Sequence, residues 1–498
     1  MTAAAQPLTG ALSSTATWNS INWDHIKTEV YRLQMRIAKA ITEGRLGKVK
    51  ALQRMLTHSF SAKLLAVKRV TENSGRKTAG VDGVTWENSQ EKMQAAITLK
   101  QRGYQPLPLR RIYIPKKFST TKLRPLGIPS MKDRAMQALY LQALEPIAET
   151  QADKNSYGFR TKRSCADAIE QCFKSLAKKA SSQWILEGDI KSCFDKISHL
   201  WMEDNILMDT KILHKWLKSG YIEKGTFHRT EEGTMQGGTI SPAIANIVLD
   251  GMENLVKSLA KNSDKINYVR YADDFIVTGS TKEVLVNKIK PAIEAFLIER
   301  GLELSQEKTK ITHINDGLDF LGFNIRKYSG KLLIKPAKKN VLYFLGDIRS
   351  LIKKNGTTKT EDLIRRLNAR IRGWANYYRH VVSSETFSYV DHCIYQALSA
   401  WMKRRHPQKS AEWLHQKYFR RQGMRSWVFS TKTRNKAGET KFLDLFIATS
   451  VKIKRHVKIR GDANPFDPAF TDYFNKRDKR NKINPRDAGH YERHLPIF

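Results

Sequence analysis

Apolar residues return at Ile26, Val30, Leu33, Ile37 and Ile41, the 3.6-residue period of an amphipathic helix. Gly44 and Gly47 interrupt it, and a second helix is expected over about Lys48–Val70, with basic residues along its outer face. The Gly-rich polar run Asn73–Gly83 reads as a loop. Alternation around Ile112 and Ile114, and again around Leu126 and Ile128, predicts two short strands with a basic hairpin tip between them. Helices follow over 133–150 and 164–179. The run Trp184–Ile197 starts as a buried strand ending near Asp189. A Gly-rich loop, Glu231–Pro242, then opens a helix through 243–259. Two β-rich runs between Ile266 and Ser280 flank an Asp-Asp pair, the pattern of a hairpin with carboxylates at its turn. A helix over 281–300 and strands near Ile311 and over 320–325 complete this part. From about Lys335 helical patterns dominate, and from about His456 the periodicity fades into an irregular basic tail. Residues 1–20 are small and polar and are expected to be disordered. No internal repeat recurs at a fixed period.

Composition adds a partner. The 498 residues carry 87 Lys plus Arg against 48 Asp plus Glu, a formal net charge of +39. Such an excess, spread over large surfaces, fits a polyanion whose condensed counterions are released on binding. With 41 % hydrophobic residues the chain can bury several cores, and its length suggests about three domains. Cys165, Cys172, Cys193 and Cys393 form no C-x-x-C pair, so zinc and a disulfide framework are not expected, and a reducing compartment fits. No run is long and apolar enough to span a bilayer, and the N-terminus has no secretory pattern. The expected location is the cytoplasm, on nucleic acid, with no membrane partner.

The carboxylates add chemistry. Nucleotidyl transfer needs an attacking 3′-hydroxyl, an in-line triphosphate and two divalent cations about 4 Å apart. Magnesium prefers oxygen ligands, one or two carboxylates together with substrate phosphates. Asp189 closes the apolar run Trp184–Leu186, and Asp273 and Asp274 sit between Val269, Tyr271 and Phe275–Val277. Asp-Asp is common at turns because Asp tolerates turn dihedrals. Two adjacent acids on an apolar hairpin repel unless a cation compensates, and their combination with Asp189 and the Gly-rich loop favours catalysis.

Tyr271-Ala272-Asp273-Asp274 resembles the Y-x-D-D box of reverse transcriptases, and the order of the other pieces matches that family. Asp189 with Phe194 is similar to its first catalytic motif, Gln236-Gly237-Gly238 with Ser241-Pro242 to its dNTP loop, and Phe320-Leu321-Gly322-Phe323 to its primer grip. The TAGVDG segment and the run Arg372–Arg379 resemble proteins encoded within group II introns. The resemblance covers nearly the whole chain from about Ile21. It implies a two-Mg²⁺ site held by Asp189, Asp273 and Asp274. Phe194 would stack under the incoming sugar and exclude a 2′-hydroxyl. Lys116 and Arg124 would neutralise the triphosphate. Gln236 and Gly237 would lie beside the nascent pair. Lys308 or Lys310 would protonate the leaving pyrophosphate, a choice the sequence leaves open. Met235 stands where the family usually has Pro, and a slightly looser loop is expected.

The implied fold is α+β, a right-hand polymerase: fingers and palm of mixed α/β, a helical thumb, and a basic C-terminal DNA-binding segment. The implied boundaries are 1–20 for the N-terminus, 21–108 for an N-terminal extension and the start of the fingers, 109–334 for fingers and palm, 335–430 for thumb and maturase, and 431–498 for the DNA-binding segment. Arg372, Trp374, Tyr377, Arg404, Arg405, Lys454 and Arg455 are the candidate RNA- and DNA-binding residues. Most of Trp374, Trp401, Trp413 and Trp427 are expected to be buried. The implied function is RNA-directed DNA synthesis joined to assistance of intron splicing and mobility, with intron RNA, target DNA and dNTPs as partners. Many relatives continue into an HNH endonuclease; the chain lacks that pattern, so no second-strand cleavage is expected. Two rivals stand beside this reading: a splicing factor with a silent palm, and a reverse transcriptase repurposed for defence or repair. The intact carboxylates count against the first and the Arg372–Arg379 run against the second.

Overall fold

A computed structural model describes residues 18–116, 118–119, 121–434 and 438–481. The disorder expected over 1–20 falls mostly outside these residues. The part inside, Trp18–Ser20, is a short 3-10 turn whose Trp18 is buried against Trp23, ring centroids 4.9 Å apart.

Helix α1 (Trp23–Thr42) begins where the Asn22 side chain accepts from the His25 amide at 3.1 Å, and it buries Val30, Ile37 and Ile41. The single helix expected over 48–70 is two, α2 (Leu46–His58) and α3 (Phe60–Glu72), parted at Ser59, whose backbone is extended. The break lets both helices turn apolar residues inward: Leu52 and Leu56 from one, Leu64, Val67 and Val70 from the other. After α4 (Ser89–Thr98) come strands β1 (Leu109–Pro115) and β2 (Leu123–Ile128), paired antiparallel as expected. Helix α5 (Met131–Gln151) is buried along most of its length and forms the spine of the first core. Helix α6 (Cys165–Leu176) leads to β3 (Trp184–Gly188).

Short helices α7 (Cys193–Lys196), α8 (His199–Asn205) and α9 (Thr210–Leu217) precede strands β4 (Tyr221–Glu223) and β5 (Thr226–His228), which extend the first hairpin to the order β2-β1-β4-β5. The helix expected over 243–259 is broken into α10 (Ser241–Leu249) and α11 (Met252–Ser258) at Asp250-Gly251, where Gly251 takes a left-handed φ of 98°. Strands β6 (Asn267–Tyr271) and β7 (Asp274–Gly279) form the anticipated hairpin. Helices α12 (Lys282–Val284) and α13 (Lys290–Ile298) are joined by a π-helical turn and followed by β8 (Lys310–His313). The central sheet has the order β6-β7-β3-β8 and is antiparallel throughout.

The single strand expected over 320–325 is a turn joining β9 (Leu318–Phe320) to β10 (Phe323–Tyr328), with β11 (Lys331–Pro336) completing a three-stranded sheet. Helices α14 (Lys338–Lys354), α15 (Thr360–Tyr378) and α16 (Ser384–Arg405) build the second core with α17 (Ala411–Tyr418). The sequence reading missed a sheet beyond them: β12 (Phe419–Gln422), β13 (Arg425–Arg434) and β14 (Thr440–Asp444). Its strands carry Arg and Lys at the positions that face outward, so their alternation does not stand out in the sequence. Residues 456–481 are not wholly irregular either: they end in α18 (Thr471–Asn481). Among the described residues no helix is long and apolar enough to cross a membrane.

Candidate active site

Strand β3 ends at Gly188, opposite Phe275 of β7, and Asp189 follows at once. A Cβ on Gly188 would lie 2.1 Å from the Phe275 ring, so only glycine lets that ring cross the strand at this point. The β6–β7 hairpin closes with Tyr271 paired to Asp274, leaving Ala272 and Asp273 as a two-residue loop in which Ala272 adopts a φ of 58°. A left-handed alanine costs on the order of 1 kcal/mol and persists only where its surroundings hold it. The three carboxylates therefore gather at neighbouring strand ends.

Their electrostatics show the crowding. Burial pushes the Asp274 carboxyl up to about 7, with the charges of Asp273 and Asp189 adding to the rise. Burial also raises Asp273, Asp189 adds to it, and Arg124 and Lys308 pull in the opposite direction. Lys308 Nζ donates to both Asp189 oxygens, at 2.7 and 3.1 Å. Lys310 instead lies in β8 opposite Glu187, so of the two lysines only Lys308 touches one of the three acids. Among the described residues no three carboxylate, imidazole or thiol groups close as a ready-made metal cage. The donor set still fits a hard cation: three acids held together against their mutual repulsion, of the kind whose remaining ligands come from substrate phosphate and water.

The Gly-rich loop packs beside them. The Gly233 amide donates to Ile197 O at 2.7 Å and the Thr234 amide to Phe194 O at 2.6 Å, so half-buried Phe194 sits against this loop. Gly237 has a φ of 115°, and a Cβ there would meet Gly127 O of β2 at 2.5 Å. The Gln236 carbonyl accepts from the Gly127 amide at 2.8 Å, while Gln236 Oε1 is buried with no hydrogen-bond partner. Met235 is buried and accepts through Sδ from Gln137 Nε2 at 3.4 Å, and Gln137 Oε1 takes the Thr239 amide at 2.7 Å. The loop is thus anchored by its own side chain where proline was expected, and the looser loop inferred from the missing proline has no counterpart in these contacts.

Lys116 and Arg124 rise from the β1–β2 hairpin, and both act on Asp195, whose carboxyl is raised by burial and pulled back down by Arg111, Lys116, Lys196 and Arg124. Asp195 and Arg111 escaped the sequence reading. Arg111, with its guanidinium 4.0 Å from the Tyr221 ring centroid, has a buried Nε without a hydrogen-bond partner. Its signal was present in the alternation of β1, as the third residue of the strand that carries the hairpin. Asp195 is adjacent to Phe194 and could have been found from that alone.

Phe320-Leu321-Gly322-Phe323 forms a second two-residue hairpin turn, with φ of 51° at Leu321 and 81° at Gly322. Two tyrosines of α15 hold it: Tyr377 Oη donates to Leu321 O at 2.8 Å and Tyr378 Oη to Gly322 O at 3.2 Å. The hydroxyl of Tyr377, expected as a nucleic-acid contact, is engaged with the turn and with Cys165. Trp374 is likewise packed inward, stacked on Phe344 with centroids 4.7 Å apart. Arg405 donates to the carbonyls of Thr358 and Gly356 and so holds the α14–α15 loop. Arg372 lies over the Phe446 ring at 4.8 Å. Arg404 and Lys454 are exposed. Of the four tryptophans, only Trp401 is fully buried; Trp374 and Trp413 are half-buried, and Trp427 is 58 % exposed because its ring caps the outside of the aromatic cluster around Phe419.

The C-terminal strap is docked on α6. Asp167, fully buried, accepts from the Ile459 amide at 2.7 Å and from Arg477 Nη2 at 2.8 Å, and His456 Nε2 lies 2.8 Å from it. Against the upward push of burial, His456 and Arg477 hold this carboxyl below the ordinary range. Arg455 joins the same docking through Glu170 at 2.9 Å and the Phe173 ring.

Strand-end carboxylates, a basic hairpin over them and a glycine loop beside them are the parts of a template-directed nucleotidyl-transfer site. Comparison with known proteins gives the family. Residues 114–325 match the profile of the reverse transcriptases (RNA-dependent DNA polymerases), residues 18–99 that of the N-terminal domain of reverse transcriptase, and residues 341–419 the group II intron maturase-specific domain. The chain is 30 % identical over 410 residues to the group II intron-encoded protein LtrA of Lactococcus lactis, covering 63 % of this chain and 68 % of that one. It is 35 % identical over 326 residues to protein YkfC of Escherichia coli, 56 % of this chain and 84 % of that one. A protein in the cob intron of Schizosaccharomyces pombe is 26 % identical over 412 residues, 65 % of this chain and 50 % of that one. The chain belongs to the group II intron-encoded reverse transcriptases. It is an RNA-directed DNA polymerase that carries a splicing-maturase domain.

Proposed function

We propose that the chain binds its intron RNA, assists its splicing and copies it from a DNA primer at a target site. The observation that carries this reading is the convergence of Asp189, Asp273 and Asp274, close enough for each charge to raise the next carboxyl. The hand-like division follows: β1–β2 with the N-terminal helices as fingers, the sheet β6-β7-β3-β8 as palm, and α14–α16 as thumb. Residues 431–498 are the DNA-binding segment, and Arg404, Lys454 and Arg455 are candidate contacts that face solvent.

Asp189, Asp273 and Asp274 would hold two magnesium ions, which supply Lewis-acid activation and charge neutralisation when bound. Lys116 and Arg124 bind the triphosphate from the hairpin side, with Asp195 as their counter-charge before the nucleotide arrives. Phe194 fills the space beneath the sugar and excludes a 2′-hydroxyl. Gln236, with its unpartnered Oε1, and Gly237 border the nascent pair. Lys308 holds Asp189 in place of a cation until substrate enters, and then carries the proton that leaves with pyrophosphate. Phe320, Leu321 and Gly322 seat the primer end.

Primer extension on an RNA template, with dNTPs and Mg²⁺, tests the reading. Extension by the wild type and none by Asp273→Ala, with RNA affinity kept, is the expected result. Tight RNA binding without extension by either protein would make the palm silent.

A further inference from the structure

Arg270, the residue before the Tyr271–Asp274 box, is fully buried, which is unusual for an arginine away from any ligand. Its side chain folds back under the hairpin it belongs to. Nη2 pairs with Asp250 at 2.5 Å, and Nη1 donates to Asn246 Oδ1 at 3.0 Å and to the Ala272 carbonyl at 3.4 Å. Ala272 is the left-handed residue of the turn, and Asp273 follows it. The main chain of Arg270 is held as well: its amide donates to Asn155 O at 3.0 Å and its carbonyl accepts from the Tyr157 amide at 2.9 Å. Asn246 completes the frame by donating to Gly158 O at 2.8 Å, and a Cβ on Gly158 would lie 2.3 Å from the Ala272 nitrogen.

Asn246 and Asp250 belong to the far half of α10 and its C-cap; the near end of α10 follows directly from the loop Gln236–Gly238. One rigid helix of nine residues therefore runs from the nucleotide loop to the guanidinium under the acid pair. We propose that Arg270 is a positioning residue: it fixes the Asp273–Asp274 turn, and through α10 sets the distance between the acid pair and the nucleotide loop. It touches neither nucleotide nor primer. The inference rests on the reading of Asp273 and Asp274 as cation ligands. Lysine at 270 keeps the charge but gathers its donors on one nitrogen, and lacks the planar fork that here puts Nη2 on Asp250 and Nη1 on Asn246 and the Ala272 carbonyl.

The test uses the full chain on an RNA template with a chain-terminated DNA primer and the matching dNTP, and reads Mn²⁺ binding by electron paramagnetic resonance. A parallel assay on an extendable primer reads kcat and the KM for dNTP. Arg270→Lys is expected to weaken Mn²⁺ binding at least fivefold and to lower kcat ten- to a hundredfold. The KM for dNTP and the primer–template affinity should stay within about twofold, and added Mn²⁺ should restore part of the rate. Asn246→Ser removes one arm of the frame, should show the same pattern more weakly, and reports on the frame if Arg270→Lys does not fold. Asp273-dependent Mn²⁺ binding that neither variant changes, with wild-type kcat per folded molecule, overturns the inference alone. Equal Mn²⁺ binding by wild type and Asp273→Ala overturns the cation assignment and the inference with it.

Discussion

Two tight turns of the molecule are built differently. Both are two-residue hairpin loops, and both place a non-glycine residue at positive φ, Ala272 in one and Leu321 in the other. The acid turn is fastened from beneath by buried charge: Arg270, Asp250 and Asn246, with Gly158 packed against its backbone. The Leu321–Gly322 turn, proposed above as part of the primer seat, is fastened from a neighbouring helix by two tyrosine hydroxyls of α15. Buried ion pairs are costly to break because the partner left behind is an uncompensated charge. A neutral hydrogen bond contributes only about 1 kcal/mol net. The first turn is thus held by buried charge, and the second by neutral hydrogen bonds to α15.

The largest effect expected is on the acid turn itself. Asp273→Ala should cut primer extension by about a thousandfold or more while leaving RNA affinity within a few-fold, read by extension and filter binding side by side. Gly158→Ala comes next. The added methyl has no free space against Ala272, so a loss of about 1–3 kcal/mol in unfolding free energy is expected, with a further fall in rate per folded molecule. Wild-type behaviour of this variant would show that the turn is less tightly framed than the contacts say. At the primer-grip turn, Tyr377→Phe with Tyr378→Phe should raise the KM for primer about fivefold at nearly unchanged kcat, each hydroxyl contributing about 1 kcal/mol or less. An equal fall in kcat would erase the contrast between the two turns.

The last effect is read in pH, at His380 beside the docked strap. His380, beside His456 and with its ring 5.2 Å from Phe323, is held down to about 4 by burial and then by His456, with Asp167 and the Tyr377 carbonyl pulling upward. An imidazole in the unfolded chain binds its proton near pH 6.5. The unfolded state therefore holds the extra proton between about pH 6.5 and 4, and the contribution of His380 to stability falls as pH is lowered through that window, by up to about 3 kcal/mol. Asp274, raised to about 7, contributes with the opposite sign, so the readout is the difference between proteins: in urea melts at pH 7, 5.5 and 4.5, His380→Leu should lose less stability on acidification than the wild type.

Much of the site was legible because its signals are local. Asp189 ends an apolar strand, the acid pair breaks an apolar hairpin, and glycines mark the loop where backbones must approach. Lys308 could not be separated from Lys310, since one sits in the turn before β8 and the other on the strand itself, and only packing shows which nitrogen reaches Asp189. Tyr377 and Arg405 read as nucleic-acid contacts from composition, but a hydroxyl or guanidinium that meets a distant carbonyl leaves no mark in the sequence. The β12–β14 sheet went unread because its apolar alternation is broken by Arg and Lys on the solvent side.

The sequence by itself determined the order of parts, the three carboxylates, the hairpins that carry them and the basic character that suits a polyanion. These follow from periodicity, turn chemistry and charge, all read over short spans. Tertiary structure alone decided which side chains meet across the chain. Arg270 lies against Ala272, Gly158 against the acid turn, two tyrosines on the primer-grip turn, and the strap on Asp167. The contact of Arg477 with Asp167 joins residues 310 positions apart, and only packing brings a buried donor to its one available acceptor.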